Sequence, residues 1–140
     1  MIFSEHEAFG RPARVLMGVA EVEARAALTV ELQREGYDVE NTTSGLELRV
    51  KLLGATLAGE PYELVVVDLD LPGPSVLEAI PGGGSGPKVI VITRAIPEPL
   101  SRDAQRVGAV VVDRWLSAED IRDCAIELLP PHFHGSRTAA

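Results

Sequence analysis

The sequence predicts an α/β fold in which a parallel sheet is covered by helices on both faces. Three observations predict it. Leu64-Val65-Val66-Val67 runs unbroken into Asp68, and Lys88–Thr93 and Ala109–Asp113 have the same apolar, β-branched character. Runs of this length ended by turn signals read as strands buried on both faces. Stretches with helical spacing of apolar residues separate them. The chain has 140 residues, 46% hydrophobic and 24% charged, the composition of one ordinary globular domain. At this size it can bury a core without a disulfide or metal staple.

Taken in order, residues 1–13 mix charges with Gly10 and Pro12 and are expected to form a flexible leader. Arg14–Val19 is a short apolar strand. Glu21 to Glu35 contains no Gly or Pro, and Ala24, Ala27, Leu28 and Leu32 share one helical face. Glu21 and Glu23 suit its first turn, Gly36 its end. Val22, Ala26 and Val30 form a second apolar row. Tyr37–Asn41 alternates, as a half-exposed strand does. Thr43 or Ser44 caps a second helix, Leu46 to Leu57, ended near Gly59 and Pro61.

Pro72-Gly73 turns the chain after the central strand. Pro74 to Ile80 is long enough for about two helical turns. Gly82–Gly86, between Pro81 and Pro87, reads as a flexible connector. It lacks the Lys-Ser/Thr of a phosphate-binding loop and precedes a strand instead of following one. Pro97 and Pro99 hold the next loop extended, and Leu100 to Val107 is a helix stopped by Gly108. Ser117, with Asp120 three residues on, caps a last helix, Ala118 to Leu129. Residues 130–140 are expected to be a disordered tail; His132 and His134 lie within it.

Five strands alternating with five helices make βαβ units, whose crossovers are right-handed. The flavodoxin-like answer is a three-layer α/β/α sandwich with strand order 2-1-3-4-5. Its third strand is central and lies beside the first. Asp68 then sits at the carboxyl edge of the sheet, where such folds bind ligands, facing the ends of the first and fourth strands.

The net charge of −8 argues against a general nucleic-acid or membrane-surface binder. Cys124 is the single cysteine, which precludes an internal disulfide or a cysteine-rich metal site and fits a reducing compartment. No apolar run approaches the ~20 residues of a membrane span. The first residues carry acids where a signal peptide carries bases. A cytoplasmic protein is expected. With no nucleophile–base pair, metal set or cofactor fingerprint in view, it is not expected to be an enzyme.

Over roughly Arg14 to Leu129 the chain resembles the receiver domain of two-component response regulators. Tyr62–Gly73 resembles the family's phosphoacceptor strand and loop, with Asp68 at the phosphoacceptor position. Thr93 closes the fourth strand, where the family keeps a hydroxyl residue. Gly36-Tyr37 and Gly108-Ala109 precede the second and fifth strands at matching distances. The resemblance implies signal transduction through a protein partner, a histidine kinase or another regulator, with self-association a further option. It also implies an interaction face built from the fourth helix, fifth strand and fifth helix. Trp115 and Leu116 fall at that face's upper edge and are candidate contacts.

Four departures from the family shape the functional expectation. Two adjacent acids that hold Mg²⁺ with the phosphoacceptor are replaced by Val19 and Ala20. A hard cation wants about two carboxylate or phosphate oxygens, so Mg²⁺ binding is expected to be weak or absent. Glu21 and Asp70 are weak metal candidates; the first also suits a helix cap and the second a solvated loop. Trp115 falls where the family has its phosphoryl-binding lysine, and Arg114 could serve if the register slips by one. Arg94 follows Thr93, where the family has a small residue, and could pair with Asp68 to fill the site without phosphate. Val112 replaces the family's aromatic switch. The expectation is a pseudo-receiver working by protein–protein interaction. The alternatives are a working phosphoacceptor using Asp68 and Thr93, or an unrelated ligand-binding domain of the same fold.

Overall fold

The computed structural model describes residues 11–73, 75–82, 84–94, 98–114 and 116–131. The expected leader and tail thus lie mostly outside the described residues. Five strands form one sheet: β1 (Arg14–Gly18), β2 (Asp38–Thr42), β3 (Leu64–Asp68), β4 (Lys88–Ile92) and β5 (Val110–Val112). Their order is β2-β1-β3-β4-β5 and every pairing is parallel. Four α-helices cover it: α1 (Val22–Arg34), α2 (Gly45–Leu57), α3 (Glu98–Arg106) and α4 (Ala118–Leu128). This is the predicted flavodoxin-like sandwich.

The two-residue period of a strand explains the two cores. In β3, Leu64 and Val66 point to one face and Val65 and Val67 to the other, and all are buried. The first face packs on Leu28 and Leu32 of α1 and Ile121 and Ala125 of α4. The second packs on Leu48 and Leu52 of α2, on Ala104 of α3, and on Leu77 and Ile80 from the β3–β4 connection. Because β3 is covered twice, its sequence reads as an unbroken apolar run.

Local signals end the elements largely where the chain predicts. Ser44 caps α2, its hydroxyl accepting from the Glu47 amide at 3.1 Å, while the Glu47 carboxylate accepts from the Thr43 amide at 2.9 Å. Ser117 caps α4 through the Asp120 amide at 3.1 Å. Gly36 carries φ 99°, a left-handed turn open to glycine after α1. Gly18 is required for space: a Cβ there would come within 2.6 Å of Leu71 and 2.7 Å of Leu48.

Two expectations need correction, and the surroundings of the glycine-rich connector can be described. The segment after β3 forms a single 3₁₀ turn, Leu77–Ala79, in place of the third helix. Pro81 and the glycines behind it leave no room to propagate a helix, and burial of Val76, Leu77 and Ile80 fixes the short turn. The glycine-rich run is packed at both ends. A Cβ on Gly82 would meet Arg106 at 2.8 Å, and one on Gly86 would meet the Pro81 carbonyl at 3.0 Å. Finally, α3 starts at Glu98, so Pro99 lies in its first turn, where a missing N–H costs nothing, and not in the preceding loop. Pro97 lies outside the described residues.

No helix is long and apolar enough to cross a membrane, among the described residues.

Candidate functional site

The register of the sheet builds the site. β1 ends at Gly18, opposite Val67, one pair before β3 ends; Asp68 pairs instead with Ile92 at the end of β4. The chain leaving β1 therefore turns off across Asp68. Asp68 is 5% exposed and its carboxylate is hydrogen-bonded on both oxygens. Oδ2 accepts from the Ala20 amide at 3.4 Å. Oδ1 accepts from the Asp70 amide at 2.9 Å, a local turn that also brings the Leu71 amide to the Asp68 carbonyl at 3.0 Å.

A cation completes the arrangement. Arg114, two residues beyond β5, donates from Nη2 to Asp68 Oδ1 at 3.2 Å and forms an ion pair with Asp70 Oδ2. The guanidinium bridges the two carboxylates that the β3 turn holds side by side. The hydrogen bond to Asp70, more than the nearby Asp68 charge, raises the Arg114 pKa above its ordinary value, so the bridge stays charged. The predicted pairing of Asp68 with Arg94 is therefore made by Arg114, the register-slip candidate. The cause is positional: Arg114 approaches from the strand end beyond β4, whereas Arg94 is exposed at the start of the β4–α3 loop.

The other candidates fall around this centre. Thr93 directly follows β4, half-buried, its amide donating to the Val112 carbonyl at 3.0 Å. Glu21 stands at the N-cap of α1, but its side chain makes no capping bond, contrary to expectation; it is exposed and turned toward the cleft. Leu116 is 40% exposed and its amide donates to the Asp113 carbonyl at 3.0 Å. Trp115 lies outside the described residues. A cleft of about 630 Å³ opens beside the bridge, with Val19, Ala20 and Ala24 on one wall and Leu116 and Ala118 on the other. Its walls are mostly apolar, a feature the chain gave no direct sign of; the small residues Ala20, Ala24 and Ala27 are the signal that could have found it.

The donor set does not fit Mg²⁺. Val19 is buried at 3% exposure, and neither Val19 nor Ala20 has a side chain that can ligate a metal; the Ala20 amide donates to Asp68. The charge that would balance Asp68 and Asp70 comes from Arg114, and a guanidinium between two carboxylates repels a divalent cation. Among the described residues no group of three or more His, Cys, Asp or Glu side chains is placed to hold a metal.

No protein-family model matches the sequence, and no curated protein matches it as a relative. Solved structures match over most of the chain. A CheY-like receiver domain protein from Methanospirillum hungatei superposes with a TM-score of 0.67 at 21% identity, over 84% of this chain and 94% of that one. CheY4, a chemotaxis protein of Vibrio cholerae, gives 0.64 at 17% identity, over 84% and 99%. The receiver domain of Ssk1 from Saccharomyces cerevisiae, solved with the histidine phosphotransfer protein Ypd1, gives 0.61 at 16% identity, over 85% and 89%. The parallel sheet in the order 2-1-3-4-5 with its covering helices is thus the fold of CheY-like receiver domains.

Proposed function

We propose that this chain is a pseudo-receiver. It serves signal transduction by protein–protein recognition, without Mg²⁺-dependent phosphorylation of Asp68. The observation that carries the reading is the Arg114 bridge. A receiver must neutralise phosphate charge at this edge, and metal ions and fixed cations are what neutralise it in phosphoryl transfer. Here the fixed cation is in place, engaged with Asp68 and Asp70, while Val19 and Ala20 supply no side-chain metal ligand. On this reading the chain is a cytoplasmic recognition module and not an enzyme. The surface of α3, β5 and α4, with Leu116 at its upper edge, meets a kinase, a phosphotransfer protein or another regulator.

A phosphoacceptor remains the second reading. Asp68 holds the correct place in the sheet, and the Ssk1 receiver, of the same fold, was solved bound to a phosphotransfer protein. Amide NMR spectra separate the two. Mg²⁺ followed by beryllofluoride is expected to leave the Asp68, Thr93 and Arg114 signals in place. Saturable shifts of those three would establish the phosphoacceptor. The Arg114→Ala variant should gain Mg²⁺ response only if the guanidinium is what excludes the ion.

A further inference from the structure

Helix α2 buries one side only. Leu48 and Leu52 are in the core, whereas Leu46, Val50, Leu53 and Leu57 are exposed by 61%, 62%, 61% and 79%. Their spacing is four, three and four residues, the seam by which one helix packs on another. At 3.6 residues per turn they fall within roughly 60° of arc. Single exposed apolar side chains are ordinary, but a contiguous row of large ones marks an interaction face. The other exposed large apolar residues among those described make a sparser row: Val22 and Val30 on α1 stand two turns apart with only Ala26 between them.

Gly54 is a second, independent sign. Glycine inside a helix costs about 1 kcal/mol against alanine, so it needs a reason. Nothing among the described residues supplies one, since a Cβ at Gly54 would meet no atom of theirs within 4 Å. Gly54 lies four residues after Val50 and three before Leu57, on the edge of the stripe. It leaves a notch where another helix backbone can come close. Beyond Leu53 the stripe continues into an apolar groove of about 760 Å³, walled by Leu52, Leu53 and Thr56 on one side and by Tyr62, Pro81 and Pro87 on the other. The groove is open because the β3–β4 connection contains one 3₁₀ turn and not a helix.

We propose that α2 pairs antiparallel with α2 of a second copy about a twofold axis. A twofold interface needs a patch complementary to itself. The 4-3-4 spacing reads the same in both directions. An axis between Val50 and Leu53 sets Leu46 against Leu57 and Val50 against Leu53, and places both Gly54 notches on one flank of the crossing. Charge favours the same face. The chain carries −8, yet α2 has two bases, Arg49 and Lys51, against one acid, Glu47. By contrast α4 has one base, Arg122, against four acids. Two acidic copies therefore meet with least repulsion at α2. The stripe exposes on the order of 500 Å², and the groove lip beside Leu53 extends it toward the roughly 800 Å² per partner of a standard interface.

Sedimentation velocity of the whole chain across micromolar concentrations tests this. A dimer is expected, and Leu53→Glu should weaken it on the order of a hundredfold. Leu57→Lys, at the most exposed position, repeats the test should Leu53→Glu fold poorly; circular dichroism checks both folds. In a Cys124→Ser background, Val50→Cys mixed with Leu53→Cys should oxidise to a heterodimer faster than either alone. A chain that stays monomeric overturns the proposal, as does a dimer indifferent to both charge variants. Preferential cross-linking within Val50→Cys alone overturns the antiparallel register. None of these outcomes depends on whether Asp68 is phosphorylated.

Discussion

The two faces of the sheet bury similar cores and finish them differently. On the first, α1 and α4 pack side by side, and Tyr37 pins the end of α4 by donating its hydroxyl hydrogen to the Leu129 carbonyl. On the second, a helix is lacking between α2 and α3. Its place is held by a 3₁₀ turn that Arg106 ties down, donating to the carbonyls of Ile80 at 2.7 Å and Leu77 at 2.8 Å. Alternation along the strands dictates that both faces be covered. It does not dictate that the covering helices be covered in turn. The second face therefore ends in a contiguous exposed row of four large apolar side chains on α2, whereas the first leaves the sparser row Val22, Ala26 and Val30 on α1.

The largest expected effects ask whether the thinner face is energetically weaker. Leu48 of α2 and Leu32 of α1 are both fully buried. Leu48→Ala and Leu32→Ala should each cost about 3–5 kcal/mol in urea unfolding, the range for truncating a packed leucine. A Leu48 cost below about 1.5 kcal/mol would mean that the second face is loosely packed and that the likeness of the two cores is only apparent.

Titration of Tyr37 probes the first face alone. Burial, with the Glu35 charge adding, pushes its hydroxyl up to about 12 from an ordinary 10.0. The folded chain thus holds this proton more tightly than the unfolded chain. The stabilisation is complete below pH 10 and is lost as pH rises to about 12. A rise of that size is worth at most about 2–3 kcal/mol, and solvent screening takes its share of that. Tyr37→Phe should be less stable than the parent at pH 8, through loss of the bond to Leu129, and the gap should close or reverse by pH 12. A gap independent of pH would show that Tyr37 reaches solvent.

On the second face the matching clamp is Arg106. Arg106→Ala removes the partner of two backbone carbonyls and should cost about 1–2 kcal/mol. Hydrogen exchange should show its effect concentrated at Ala79 and Ile80, whose amides close the 3₁₀ turn. Exchange that rises equally in α1 would mean that the turn is coupled to the whole domain.

The same difference explains what was legible in the chain. The strands, both caps and the position of Asp68 follow from apolar runs, short polar cap residues and an apolar run ended by an acid, while the strand order comes from the small set of topologies open to alternating βαβ units. The first three act within a few residues. The missing helix was not legible, because Pro74–Ile80 has enough length and apolar content for one. What decides against it is the tertiary demand that Val76, Leu77 and Ile80 all turn inward. At the site, gapless counting puts Trp115 where a cation belongs. Arg114 reaches Asp68 because the last strand is only three residues long and the chain leaves it early. The exposed stripe was readable in principle: Leu46, Val50, Leu53 and Leu57 separate from Leu48 and Leu52 once the helix is split into faces.

The smallest expected effect is the most discriminating between the faces. Gly54→Ala fills open space and restores helix propensity, so it should stabilise the chain by about 1 kcal/mol under conditions where it is monomeric. At the α2–α2 crossing the same methyl group fills the notch and holds two backbones apart. Dimerisation should then weaken several-fold while the fold strengthens. These opposite signs are the signature of a residue kept for approach and not for folding. If thermal stability and self-association rise together, Gly54 is an incidental helix defect. The second face would then be open by accident of a shortened connection, with no partner shaped to it.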